Sequence, residues 1–235
     1  MSIAMNRATT SITLLVVFLL STFSRSAVAI GCPGEDSIAD GMARVKLAVI
    51  GKVTAGIPVG LRYVPQEHCD NVVDCRVPKA PQLKSGSVGV ELAREQSWVC
   101  VAVAGKRPLD VWTGWLPEQR WQKRETNESS PEQWLGVWQN YGAKIWITAT
   151  ANGALSVRGD AIYDNGSAGG PHFGDFSFVG TPSGGALSNS VDLNDEQCSI
   201  VVRVTGDFLI AADNARCGGL NVRFDGVYRL RRRSP

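Results

Sequence analysis

The chain has 235 residues, with 24 Lys and Arg against 22 Asp and Glu. Residues 1–29 read as a leader carrying Arg7 and Arg25 and no acid, which leaves the mature chain 22 basic and 22 acidic residues. A chain without basic excess argues against nucleic acid as a partner, since phosphate binding needs positive charge.

In the leader, Arg7 precedes the apolar run ITLLVVFLL at 12–20, and AVA at 27–29 offers small residues for cleavage after Ala29. That is the order of a secretory signal peptide. The run is too short for a membrane-spanning helix, which needs about 20 residues. Lipoprotein processing before Cys32 is the competing reading, but the Ala that leads AIGC is a poor match. Export to the periplasm or beyond is the expected localisation.

Six cysteines follow: Cys32, Cys69, Cys75, Cys100, Cys198 and Cys217. An even count in an exported chain reads as disulfides. Zinc is disfavoured, because there is no C-x2-C pair and only two His. No cofactor or metal is expected. The long gap after Cys100 splits the set four and two, so pairing within each group joins Cys198 to Cys217. Closing that loop stabilises by roughly 3 kcal/mol in the chain-entropy model. Three connectivities stay open for the other four; Cys69 with Cys75 across DNVVD, leaving Cys32 for Cys100, is the one favoured.

The same split suggests two domains, 30–122 and 134–230, with a polar linker at 123–133 (KRETNESSPEQ) and a basic tail at 231–235. Within the linker, NES at 127–129 matches a glycosylation acceptor but reads more simply as hydrophilic chain. The tail reads as solvated, with weak attraction to anionic lipid or wall polymer as the sharper alternative.

The first domain is expected to be all β, with strands at 44–53, 57–64, 87–92, 97–104 and 111–117. In SWVCVAVA, Trp98, Cys100 and Ala102 share one face and Val99, Val101 and Val103 the other. Both faces are apolar, which predicts a central strand covered on both sides. Trp98 followed by Gly114, Trp115, Leu116 and Pro117 resembles the closing half of a bacterial SH3-like domain, over about residues 40–122. The resemblance implies a small barrel that binds, commonly peptidoglycan or a peptide. Its inserted loop, PQEHCDNVVDCRVPKAPQLKSG, departs from the compact family pattern.

In the second domain, strands are expected at 143–151, 154–163, 172–182, 186–193, 198–206, 207–214 and 220–230. Trp134, Trp138, Ile145 and Ile147 are the early core anchors. Cys198, Ile200, Val202 and Val204 fall on one face, as do Leu220, Val222 and Phe224. Spacings of roughly 10 residues suggest an antiparallel meander closed as a barrel or sandwich. In DNARCGG, Asp213 and Asn214 begin a turn, Gly218 and Gly219 supply backbone freedom, and Cys217 ties the turn to the start of a neighbouring strand. The last strand then removes an open edge. Residues Gly136, Trp138, Leu155, Gly159, Gly174, Phe176, Cys198, Cys217, Gly219, Asn221, Phe224 and Tyr228 are similar to the C-terminal part of uncharacterised exported proteobacterial proteins. Some of those resemble lysozyme inhibitors in an N-terminal half that this chain lacks.

No H-E-x-x-H, G-x-S-x-G or P-loop occurs. His172 with Asp175 could orient a base, yet no nucleophile is marked out, and His172 reads as the start of a strand. DLNDEQ at 192–197 is acidic but lacks EF-hand spacing. The Trp residues cluster about the linker, and Trp112, Trp115 and Trp121 are the candidate ligand-binding residues, with core and interdomain seam as the competing role. The sequence therefore suggests a non-enzymatic, exported envelope protein that contacts wall glycan, peptide or a protein partner through the SH3-like domain. Inhibition of an exogenous enzyme, such as lysozyme or a protease, is the alternative.

Overall fold

The computed structural model describes residues 45, 48–63, 75–107, 109–124, 129–164, 166, 169–189 and 196–231. It is nearly all β, as expected, and contains two antiparallel sheets.

The first sheet holds β1 (Val49–Val53), β2 (Val88–Glu95), β3 (Trp98–Ala104), β4 (Val111–Pro117) and β5 (Trp121–Lys123), in the order β4-β3-β2-β1-β5. β3 is buried on both faces, as its unbroken apolar pattern requires. Val99, Val101 and Val103 pack with Val53, Leu61, Leu83, Leu116 and Trp121. Behind them, Cys100 lies with Trp98 and Trp115, while Ala102 joins a separate cluster. Of the expected strand at 57–64, the described residues 57–63 form none; Val59 and Arg62 make only isolated bridges, to Leu83, Arg76 and Trp115. The resemblance sets Gly114 where a tight bend would end the barrel, but it is not at a bend. It lies mid-strand opposite Val101, where a Cβ would stand 2.9 Å from the Arg62 carbonyl.

The second sheet is a nearly closed eight-stranded barrel. Its strands are β6 (Gly136–Gln139), β7 (Ala143–Ala149), β8 (Leu155–Tyr163), β9 (His172–Gly180), β10 (Leu187–Ser188), β11 (Ile200–Thr205), β12 (Phe208–Asp213) and β13 (Gly226–Leu230). Each pairs with its sequence neighbour except β9 with β10, and β13 returns to pair with β6. The last strand thus joins the first, and the single gap falls between β9 and β10. Trp138, Ile145, Ile147, Val157, Ile200, Val202, Leu209, Phe224 and Tyr228 fill the interior, each at most 1% exposed. Eight strands leave room for little more than such side chains. Before β6, Pro131–Trp134 forms one helical turn capped reciprocally by Ser130 and Gln133.

The two sheets pack against each other. β12 is buried along its whole length, where ordinary alternation would leave every second residue wet. Its outward residues Phe208, Ile210 and Ala212, with Val201 and Val227, pack on Ile50, Val90 and Ala102 of the first sheet. Each large apolar side chain buried there contributes about 1.5–3 kcal/mol. In contrast β8 alternates strictly, with Arg158, Asp160 and Ile162 exposed.

The expected strand at 220–230 is shortened to 226–230, and Leu220, 72% exposed, does not share the buried face of Val222 and Phe224. The reason is local: the buried Asp213 carboxylate accepts hydrogen bonds from the Phe224 and Ala215 amides, and Asn221 takes a positive φ of 64°. These contacts fold 214–225 into a loop before pairing begins.

Candidate functional site

The up-and-down meander joins β6–β7, β8–β9, β10–β11 and β12–β13 at one end of the barrel, where the described connecting residues are 140–142, 164, 166, 169–171, 189, 196–199 and 214–225. The Cys198–Cys217 disulfide staples two of them, as expected from the sequence. Cys75 and Cys100 are also disulfide-bonded; the expected partners Cys69 and Cys32 lie outside the described residues.

Around that staple the hydrogen bonding is dense. Asn214 Oδ1 accepts from the Ser199 amide at 3.0 Å, and Asn214 Nδ2 donates to the Gln197 carbonyl at 2.8 Å. Arg223 Nε donates to Asp213 at 3.1 Å, and the same guanidinium pairs with Asp225. The Asp213 amide donates to Asp225 Oδ1 at 2.7 Å. Burial, followed by the charge of Asp213, pushes the Asp225 carboxyl up to about 6. Gly218 is needed for clearance rather than backbone freedom, since its Cβ would stand 2.7 Å from the Gly174 Cα. This loop is a latch, and it contains no free thiol.

The latch holds an apolar surface in place. His172 Nδ1 lies 2.6 Å from the Leu220 carbonyl, and the Gly219 amide donates to the Phe173 carbonyl at 3.0 Å. Phe173 stands opposite Ile162 across β8–β9, and the Ile162 amide donates to the Gly142 carbonyl, next to Tyr141. Tyr141, Ile162 and Phe173 are thus neighbours, at 74%, 46% and 65% exposure, while Leu220, 72% exposed, meets β9 on its His172 side. Tyr141 is anchored by its hydroxyl, which donates to Asp110 of the first sheet's β3–β4 turn. That hydrogen bond holds the Asp110 carboxyl below its ordinary value. A surface hollow of about 550 Å³ runs from Tyr141 past Lys144 and Asp160 to Trp146.

The candidate Trp residues do not gather into a platform. Trp115 is fully buried and Trp121 is 6% exposed, its Nε1 donating to the buried Glu91 at 3.0 Å. Glu91 is further held by Arg94 at 2.6 Å and Lys123 at 3.1 Å. Trp112 is half-buried against the Val99–Val103 face. Trp134 and Trp138 are barrel core, and Trp146 lies half-buried on the outer wall beneath Arg158, 4.6 Å away. His172 and Asp175 point to opposite faces of β9, because three positions along a strand reverse the side; no dyad forms. Most of 192–197 lies outside the described residues, as does part of the linker.

The Tyr141–Phe173 surface was hidden from sequence reading because its three members come from three separate segments. One signal was available: Ile162 and Phe173 interrupt the outward polar positions of β8 and β9. Between the sheets, a cleft of about 500 Å³ is lined by Val88, Arg124, Glu132, Asp207 and Arg229, a mixed set of charges.

No known family model, curated protein or solved structure matches the chain.

Proposed function

We propose that this is an exported binding protein without catalytic activity of its own, and that it engages its target through the latched end of the barrel. The observation that carries the reading is the contiguous exposure of Tyr141, Ile162 and Phe173, with exposed Leu220 on the adjoining loop that the Cys198–Cys217 disulfide ties down. Exposed apolar side chains clustered in this way mark interaction sites more often than scattered ones do. The filled interior also favours contact on the outside of the barrel, and the burial of Trp115 and Trp121 moves the expected surface away from the SH3-like unit. Peptidoglycan, a peptide and a protein are the target classes, and blocking an exogenous enzyme such as lysozyme or a protease is the protein-binding form.

The test is retention on insoluble peptidoglycan, together with a lysozyme and protease inhibition panel, using disulfide-intact protein. Phe173→Ala/Leu220→Ala is expected to lose whichever activity the wild type shows while keeping its thermal stability. An activity that survives this double substitution, or its absence from both assays, overturns the proposal.

A further inference from the structure

Building on that binding role, we infer that the outer face of β7–β9 receives a basic segment of a protein partner, an Arg or Lys flanked by apolar side chains. Three cross-strand rows define this face. The first is apolar: Ile162 opposite Phe173, extended by Tyr141. The second is charged: Lys144 opposite Asp160, and Asp160 opposite Asp175. The third runs from Trp146 through Arg158 to Ser177.

The charged row is unbalanced. Asp160 and Asp175 are exposed, directly opposite one another, and neither forms an ion pair with any described residue. Like charges in this relation destabilise a sheet. Lys144 flanks only the Asp160 side. Arg158, the other nearby cation, lies over the Trp146 ring and so leans toward β7, away from Asp175. A cation from outside would offset both carboxylates at once, and its apolar neighbours would meet Phe173 and Ile162.

The same rows argue against another occupant. Arg158 covers Trp146, so that ring offers a sugar no open aromatic face.

The inference is tested by ¹⁵N NMR titration of the disulfide-bonded protein with a peptide of about 12 residues alternating Leu and Arg. The controls are the same peptide with Glu for Arg, an N-acetylglucosamine tetramer, and sedimentation of the protein alone. The Leu–Arg peptide is expected to shift amides at 158–162 and 173–177, and to bind less tightly as salt rises. Asp160→Asn/Asp175→Asn is expected to weaken it about tenfold, with a melting temperature at or above that of wild type because the repulsion is relieved. Four results each overturn the inference: no shifts at millimolar peptide, equal shifts with the Glu peptide or the tetramer, unchanged affinity in the Asn variant, or self-association through these strands. If Phe173→Ala/Leu220→Ala abolishes peptidoglycan or enzyme binding while the Asn variant retains it, the basic partner is refuted and the broader binding role survives. If both variants retain it, both fail.

Discussion

Replacing Asp225 by Asn should reverse part of the pH dependence of folding. Asp225 is mostly buried beside the fully buried Asp213, and its carboxyl is pushed from the ordinary 3.8 up to about 6, first by burial and then by the Asp213 charge. The folded chain therefore holds this proton more tightly than the unfolded chain between those two values. The corresponding stability is fully present below pH 3.8 and is lost as pH rises through about 6. A difference of that size corresponds to about 3 kcal/mol. Asn keeps an oxygen for the Asp213 amide but carries no charge. Relative to wild type, Asp225→Asn should therefore gain up to about 3 kcal/mol between pH 3.5 and pH 7.5. Urea unfolding of both proteins at these two pH values, with disulfides intact, measures the difference. If the variant instead loses ground toward pH 7.5, the Arg223 ion pair outweighs burial and the reasoning is refuted.

Other perturbations address the rest of the frame. Cys198→Ser/Cys217→Ser, which opens a loop spanning 19 positions, should cost about 3 kcal/mol in urea unfolding and lower the hydrogen-exchange protection of 214–225. Gly218→Ala must displace the Gly174 backbone, so it should destabilise by about 1–3 kcal/mol in the same assay. Ile210→Ala, on the seam, should cost about 2–4 kcal/mol; a loss below about 0.5 kcal/mol would mean that the two sheets do not pack through this face in solution.

Fold class was legible because the chain alternates where one side is wet and loses alternation where both are covered. The two-sided pattern of Trp98–Ala104 predicted a central strand, and the structure makes it one. The Cys198–Cys217 pair followed from counting and spacing, and it forms. What could not be read were features set by distant partners. Residues 57–64 have β-branched composition, yet their neighbours offer only isolated bridges. Residues 220–225 alternate like a strand, yet Asp213 captures the Phe224 amide first. Trp115 and Trp121 read equally well as ligand platform or core, and only the packing of Cys100 and Gly51 against them decides for the core.

The barrel wall divides along lines that its own strands foreshadow. FLIAAD in β12 has no polar residue until its end, so neither of its faces can be left in water, and the first sheet covers the outer one. LSVRGDAIY in β8 places Ser156, Arg158 and Asp160 outward and then breaks the series with Ile162. The opposing strand breaks its own series at the partner position, Phe173. One exposed apolar residue on a strand is ordinary. Two placed directly opposite, and joined by Tyr141 on an anchored turn, need three separate segments to agree. The fold spends its strongest local restraints, the staple and the Asp213–Arg223–Asp225 cluster, on holding that end still. Rigidity of this kind is what a binding surface requires if little entropy is to be lost on contact.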